Sequence, residues 1–162
     1  MIFVTVGAQM PFDRLVKVVD QWAGENERGD VFAQIGLSEY HPLNIQSAQF
    51  LTPKEFKCMY ETAKVIVAHA GTGSIITALQ LGKPILIMPR RANLRETRND
   101  HQVATSEQFR RFDSVVVAWN EKELITKLEG IDNLHGSKKI GSSASRELVG
   151  AIREFIDGVK IS

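Results

Sequence analysis

The chain has little of what would place it outside a reducing compartment or within a membrane. Its single cysteine, Cys58, excludes an internal disulfide and fits a reducing environment. No apolar run reaches the roughly 18–20 residues that a membrane-spanning helix needs. The first residues, MIFVTVGAQMPFDRL, have no basic segment before their apolar run, and so they predict a strand rather than a signal peptide. We expect a cytoplasmic protein; attachment to the inner face of the cytoplasmic membrane through a partner stays open.

Net charge is also nearly absent. Twenty Lys and Arg residues oppose 19 Asp and Glu residues, which leaves a formal charge of +1. No global field therefore favours nucleic acid as a partner, and any electrostatic recognition must be local. With 162 residues, 43% of them hydrophobic, the sequence predicts one soluble domain over residues 1–162. Within it, NLHGSKKIGSSAS, near 133–145, is typical of a linker and precedes a predicted C-terminal helix.

Short apolar runs alternate with helical patterns along the chain. Such continuous apolar runs are typical of parallel strands that are covered on both faces. The predicted strands are Ile2–Val6, Asp30–Ile35, Asn44–Leu51, Lys64–Ala68, Pro84–Met88 and Ser114–Ala118. The predicted helices are Phe12–Trp22, Pro53–Thr62 with a Thr52–Glu55 capping box, one after residue 74, Asp100–Phe109, Asn120 to about Gly130, and Leu148–Val159. This order predicts an α/β fold, a Rossmann-like, mostly parallel sheet with helices on both faces.

The turn HAGTGS, residues 69–74, stands where a predicted strand passes into a helix. Gly71 and Gly73 lack β-carbons, so another group can approach the backbone closely. The first amides of the following helix have no intrahelical partner and carry the positive end of the helix dipole, which favours a phosphate or diphosphate. The alternative is a tight structural turn with Ser74 as a helix cap. The motif is neither a P-loop nor a complete Gly-x-Gly-x-x-Gly pattern.

His69 has two interpretations of the same kind. A single histidine at a strand end is usually a packed, hydrogen-bonded residue, but this one directly precedes the glycine turn, which favours a role at the ligand. The other histidines, His41, His101 and His135, fall in unrelated segments and do not form a metal-ligand set. We therefore expect no metal and no cofactor.

The motif HAGTGSIITALQLGKPILIMPR, followed by NDHQVATSEQF, resembles the C-terminal, nucleotide-sugar-binding half of MurG-like (family 28) glycosyltransferases of the two-domain GT-B type. The opening IFVTVGAQMPFDRLV is similar to stand-alone versions of that half. These are the bacterial exopolysaccharide subunits of PssE type and the soluble subunit of the eukaryotic dolichol-linked N-acetylglucosaminyltransferase. The resemblance covers the chain from its first strand to about Trp119, and the loop MPRRANLRETRNDHQ leans towards the exopolysaccharide branch.

The resemblance implies a UDP-sugar site. Residues 71–74 would hold the diphosphate, and the strand end near Leu51 would read uracil. Asp100 and Gln102 would contact the sugar. Thr77 stands where relatives have an acidic residue that binds the ribose, a departure that weakens this contact. The implied donor-site residues are Gly7, Leu51, His69, Ala70, Gly71, Thr72, Gly73, Ser74, Thr77, Asp100 and Gln102.

A basic loop follows the predicted strand that ends at Met88. Arg90, Arg91, Arg95 and Arg98 fall within nine residues, together with a single acidic residue, Glu96. One interpretation is a solvated loop. The other is that Arg90 and Arg91 contact the phosphates of a lipid-linked acceptor near an anionic membrane, because arginine forks match phosphate oxygens in pairs.

A GT-B enzyme binds donor and acceptor between two halves, and this chain has room for one. The resemblance implies that the general base lies on a membrane-associated partner subunit of PssD type, so the catalytic residue in this chain is unknown and the chain alone should transfer sugar weakly. We expect a hexosyltransferase subunit of exopolysaccharide or other glycan biosynthesis. Two alternatives stay open: a self-sufficient homodimeric transferase, and a non-catalytic regulatory module that binds UDP-sugars.

Overall fold

The computed structural model describes residues 1–136 together with residues 149, 150 and 153. The predicted linker beyond residue 136 and the predicted C-terminal helix, apart from those three residues, lie outside the described part of the chain. Within the described residues, no helix is long and apolar enough to cross a membrane.

Six strands form one sheet, and every neighbouring pair is parallel, in the order β3-β2-β1-β4-β5-β6. This confirms the predicted Rossmann-like α/β fold. Five strands are shorter than predicted, and β4 keeps the predicted length but is shifted by one residue, to Val65–His69. Their bounds are β1 Ile2–Thr5, β2 Val31–Gln34, β3 Gln46–Ala48, β4 Val65–His69, β5 Ile85–Met88 and β6 Val115–Val117.

Within residues 1–136, an α-helix lies between each pair of successive strands except β2 and β3, another follows β6, and two short 3-10 turns lie at Ala92–Leu94 and Ile131–Asn133. Thr52 and Glu55 form the predicted capping box, in which each side chain bonds the other residue's backbone amide. The first helix runs three residues beyond the predicted end at Trp22. Within residues 1–136 the α-helices are α1 Asp13–Glu25, α2 Pro53–Thr62, α3 Thr72–Gln80, α4 His101–Phe109 and α5 Glu121–Glu129.

Two apolar layers cover the faces of the sheet. Because successive strand residues point to opposite faces, Val4 joins a cluster with residues of α1 and α5, whereas Phe3 joins one with residues of α2, α3 and α4. Phe3 and Tyr60 are both buried and meet edge to face, with ring centroids 5.5 Å apart. Burial on both faces explains why the central strands β1, β4 and β5 are almost entirely apolar, whereas the edge strand β3 is polar and mostly exposed. The parallel order brings the carboxyl ends of β1, β4 and β5 together at one edge.

Candidate functional site

A cleft of about 420 Å³ opens at the carboxyl ends of β1, β4 and β5. It lies where ligands bind in open α/β sheets, outside the strand ends. Seven predicted site residues line it: Gly7, His69, Gly71, Gly73, Ser74, Arg90 and Gln102. The sequence interpretation missed the other lining residues, which are Val6, Ala8, Gln9, Met10 and Thr97. Four of these belong to β1's end and the loop behind it, which the parallel order alone would have placed at this edge.

The remaining predicted residues do not line the cleft. Ala70 is fully buried. The Thr77 hydroxyl donates to the Gly73 carbonyl, 2.8 Å away, on its own helix. The Asp100 carboxylate accepts from the Ala92 amide at 2.9 Å and so fastens the basic loop. Leu51 packs against the apolar cluster around Phe3. Thr72 and Arg91 complete the set that stands outside the lining.

The amino terminus of α3 faces the cleft without a side-chain cap. Gly71 is the N-cap residue in an extended conformation, and no side chain among the described residues caps the first turn. Ser74 therefore does not act as the cap that the structural alternative required. The first-turn amides are therefore available to donate to a ligand in the cleft, and the helix dipole gives this end of α3 a partial positive charge.

The two glycines of the turn have different roles. An ideal β-carbon on Gly71 would lie 2.1 Å from Cε1 of His69, so the missing side chain makes room for the imidazole. A β-carbon on Gly73 would meet nothing within 4 Å, so its surroundings are open. Only Gly73 therefore leaves room for a ligand to approach the backbone.

Gly7 closes the other side of the imidazole. Its φ of +76° lies in the left-handed region, and a β-carbon there would lie 2.8 Å from Nε2 of His69. The buried Gln34 side chain supports this turn, since its amide donates to the Gly7 carbonyl at 3.1 Å. The Gly7 amide donates to the Thr5 hydroxyl at 3.2 Å. This support, which joins β1 to β2, depends on residues about 30 positions apart and has no local pattern that would predict it.

His69 is held at both ring nitrogens. Nδ1 lies 3.3 Å from Nη1 of Arg90 and 3.4 Å from Nε2 of Gln102, and Nε2 lies 3.3 Å from the Ser74 hydroxyl oxygen. Burial and then the charge of Arg90 lower the pKa of His69 to about 4. The ring is therefore neutral at physiological pH.

Arg90 is not part of a solvated loop, which corrects the first interpretation of the basic segment. It is 4% exposed, and its Nη2 donates to the carbonyls of Val6 and Met10 at 2.7 and 2.6 Å. Its Nε donates to the Pro11 carbonyl at 3.3 Å, and the guanidinium lies 5.0 Å from the Phe12 ring centroid. Burial lowers the pKa of Arg90 to about 10, so the group keeps its charge. Arg90 thus fixes the loop that forms one wall of the cleft.

Gln102 joins the strand ends on either side of the cleft floor. Its amide oxygen accepts from the backbone amides of Ala70, at 3.1 Å, and Arg90, at 3.2 Å. This leaves the amide nitrogen directed at His69. The predicted sugar-contacting residue is therefore also a brace between the segments that follow β4 and β5.

Glu96, the acidic residue of the basic loop, pairs with an arginine that is 82 residues away in sequence. Glu96 accepts from Nε and Nη2 of Arg14, on α1, at 2.6 and 2.8 Å, and also from the Arg91 amide at 2.9 Å. The Arg91 guanidinium reaches the Trp119 carbonyl at 3.3 Å. Arg95 and Arg98 are exposed. Since Glu96 pairs with Arg14, it does not neutralise these loop arginines.

A second cavity of about 440 Å³ lies at the opposite edge, lined by Glu61, Leu81, Gly82 and Lys83. There Nζ of Lys83 donates to the carbonyls of Glu61 and Ala63, at 2.6 and 2.7 Å. This positive charge lies at the carboxyl end of α2, where it stabilises the helix and hence the fold. The cleft at the carboxyl edge is the better candidate site.

Residues 1–146 match the family described as the glycosyltransferase family 28 C-terminal domain. The chain belongs to this family. As a family 28 domain it is similar to the UDP-N-acetylglucosamine transferase subunit ALG13 of Candida albicans (strain SC5314 / ATCC MYA-2876), with 26% identity over 114 residues. That match covers 70% of this chain and 37% of the relative, so the chain spans little more than a third of the relative's length.

Solved structures agree with the fold of the family 28 domain. A solution structure of ALG13 matches with a TM-score of 0.59 at 20% identity, covering 83% of this chain and 87% of that one. The glycosyltransferase of kitacinnamycin matches with a TM-score of 0.59 at 16% identity, and covers 96% of this chain but 39% of its own. The calicheamicin glycosyltransferase CalG4 gives 0.53 at 15% identity, covering 96% of this chain and 38% of its own. The fold is thus one half of a GT-B glycosyltransferase.

Proposed function

We propose that this chain is the donor-binding subunit of a UDP-sugar-dependent glycosyltransferase. The observation that carries the proposal is the uncapped start of α3 in a cleft whose described lining contains no acidic residue. A diphosphate is the group of a nucleotide-sugar that such a site would hold, because open amides and a helix dipole both favour negative charge.

The open space around Gly73 supports the same position for the diphosphate. The Ser74 hydroxyl and the neutral His69 ring stand at the same wall and add polar contacts. The uridine nucleotide is proposed from the similarity to the Candida relative, a UDP-N-acetylglucosamine transferase subunit. Leu51, Thr77 and Asp100 stay predicted contacts to uracil, ribose and sugar respectively.

The same sheet edge favours a partner subunit. Exposed apolar side chains follow the carboxyl ends of β2, β3 and β5, namely Leu37, Phe50 and Leu94, which are 55%, 51% and 52% exposed. Exposed apolar side chains at the sheet edge that holds the cleft favour a surface that another domain covers. We propose a membrane-associated, acceptor-binding subunit of PssD type, which would bring the general base and hold this chain at the inner face of the membrane.

The acceptor is proposed to be a lipid-linked sugar of exopolysaccharide or other glycan synthesis. Glu96 does not neutralise the side-chain charges of Arg91, Arg95 and Arg98, because its carboxylate pairs with Arg14. They stand on the loop that follows β5, at the same edge as the cleft. Helix amides would neutralise the leaving diphosphate, so we propose that transfer needs no metal ion and continues in the presence of a chelator.

Calorimetry of the isolated chain tests donor binding. UDP, UDP-glucose, UDP-galactose, UDP-glucuronate and UDP-N-acetylglucosamine are titrated in turn, with ADP-glucose as the control for the base. Binding of the uridine compounds, ranked by sugar, supports the proposal, and equal binding of ADP-glucose or no binding at all contradicts it.

Transfer assays then separate the forms that the proposal can take. Sugar transfer only after the acceptor-binding subunit is added supports a donor subunit. Transfer by the purified chain alone indicates a self-sufficient homodimer. UDP-sugar binding that no partner converts into transfer indicates a regulatory module.

A further inference from the structure

Three side chains form a line from the interior to the cleft. Nη1 of Arg90 lies 3.3 Å from Nδ1 of His69, and Nε2 of His69 lies 3.3 Å from Oγ of Ser74. Arg90 is buried at the base of the cleft, and all three residues belong to its lining. The line therefore joins a buried positive charge to the wall at which an anion is expected.

The chemistry of the partners gives the line a direction. A guanidinium and an amide nitrogen only donate, and both Arg90 and Gln102 present such a nitrogen to Nδ1. Nδ1 must therefore be the acceptor, and the single proton of the neutral ring lies on Nε2. That proton is directed at the Ser74 oxygen. The Ser74 hydroxyl hydrogen then has no acceptor among the described residues and is free to point into the cleft.

We propose that Arg90, His69 and Ser74 form a one-directional hydrogen-bond chain that delivers the Arg90 charge to the anionic group of the bound ligand through the Ser74 hydroxyl. Arg90 acts in it as a positioning residue, and His69 as a neutral Nε2–H donor. Each donor in such a chain polarises the next, so the last hydroxyl becomes a stronger donor than an isolated serine.

The surroundings hold the ring in this state. The imidazole lies closely against the backbone of Gly7 and Gly71, where β-carbons would lie 2.8 and 2.1 Å from it. Of the groups that face the ring, Arg90 from the end of β5 is charged, whereas Gln102 from α4 and Ser74 from α3 are not. Protonation of His69 would place a second cation against Arg90, so the chain stays in one form through the physiological pH range.

The first experiment observes the ring without any ligand, so it does not depend on the proposed function. Long-range proton–nitrogen correlation spectra of the full chain identify which ring nitrogen carries hydrogen, and H69Q assigns the signals. We expect a neutral ring protonated on Nε2 from about pH 8 to about pH 5. A ring protonated on Nδ1, or one that titrates between these values, overturns the chain.

Two variants separate a hydrogen-bond chain from simple support of the loop. S74A should leave the Nε2–H form unchanged, because the Nδ1 donors determine it. R90M should raise the pKa of His69, so the ring begins to protonate on acidification where the wild-type ring does not. If R90M weakens the fold but leaves the His69 spectra unchanged, Arg90 only supports the loop and the proposal fails.

Ligand binding tests the last link and rests on the proposed donor site. UDP-glucose is the probe because its phosphates do not titrate in this range. Wild-type affinity should change less than about threefold between pH 8 and pH 5, and S74A should weaken binding about tenfold at both. Unchanged binding in S74A overturns the last link, whereas absence of UDP-glucose binding together with the expected spectra contradicts only the donor assignment.

Discussion

The imidazole of His69 occupies the space into which a side chain on Gly71 would project, since an ideal β-carbon there would lie 2.1 Å from Cε1. The smallest residues of the HAGTGS turn thus serve two purposes. Gly71 accommodates a buried ring of the protein, and Gly73 leaves the start of α3 open. Substitution of Gly71 should therefore lower stability, whereas substitution of Gly73 should lower ligand affinity without lowering stability.

Gly73→Ala should leave the stability of the fold unchanged and weaken ligand binding. A β-carbon at Gly73 meets nothing within 4 Å, and alanine is favoured over glycine inside a helix by about 1 kcal/mol, so the melting temperature should not fall. The added methyl group would occupy space at the open helix start. We expect UDP affinity by calorimetry to fall about tenfold or more, and Gly73→Val to abolish it.

Gly71→Ala is the matched comparison. Its methyl group collides with the His69 ring, and overpacking of this kind costs about 1–3 kcal/mol of unfolding free energy. Urea unfolding should therefore show a loss for Gly71→Ala that is absent for Gly73→Ala. Equal stability of the two variants would contradict the separate roles.

The Arg14–Glu96 pair should stabilise the fold more than a surface pair does. The side chains are 13% and 12% exposed, and Glu96 also accepts from the Arg91 amide. Glu96→Gln should cost about 1–3 kcal/mol of unfolding free energy, because it removes the closer and less exposed carboxylate partner of Arg14 and leaves only Glu121, at 3.4 Å. Glu61→Gln is the control. Glu61 pairs with Lys57, and the two side chains are 49% and 74% exposed respectively, so this pair should contribute less than about 0.5 kcal/mol. Equal losses in urea unfolding would show that burial adds nothing.

Asp20 gives the fold a dependence on acid. This fully buried carboxylate on α1 accepts from the Tyr40 hydroxyl at 2.7 Å and from the backbone amides of residues 43–45 at 2.8–3.1 Å. Burial by itself would raise the pKa of Asp20, but these hydrogen bonds outweigh burial and lower it. The Asp20 partner also raises the pKa of Tyr40 to about 12.

Because the folded pKa of Asp20 is lowered, its stabilisation is present above the unfolded value of about 3.9 and is lost as the pH falls through the folded value. Asp20→Asn should cost about 2–4 kcal/mol at neutral pH and flatten the loss of melting temperature in acid. The exposed Asp113→Asn is the control. A wild-type acid profile in Asp20→Asn would contradict this role.

The arginines of the basic loop should differ in effect. Arg91→Gln should lower turnover on a lipid-linked acceptor, by about fivefold for roughly 1 kcal/mol of interaction with an anionic surface, and less at high salt. Arg90→Gln should instead weaken donor binding, because it releases the loop at Val6 and Met10. The control is Arg110→Gln, at the far end of α4. Turnover unchanged in Arg91→Gln and its combination with Arg90→Gln would exclude an acceptor role for the loop.

Local patterns predicted the fold well. Continuous apolar runs identified the strands other than the polar edge strand β3, and the Thr52–Glu55 spacing identified a capping box, because both depend on residues close in sequence. The glycine turn likewise placed Gly71, Gly73 and His69 at one strand end. These features need no knowledge of distant neighbours.

Contacts between distant segments could not be predicted in this way. Nothing in the segment around Glu96 reveals Arg14, which is 82 residues away, as its partner. Arg90 was grouped with exposed arginines because its neighbours in sequence are basic, but its own acceptors are carbonyls about 80 residues away. These groups come together only because β1, β4 and β5 lie side by side in that order and run parallel.

The most direct test of the donor site is a crystal structure of the chain with uridine diphosphate. The account predicts both phosphates in the cleft, with an oxygen within hydrogen-bond distance of the amides of residues 72–74 and of the Ser74 hydroxyl. A nucleotide bound elsewhere, or a side chain filling the space in front of Gly73, would contradict it.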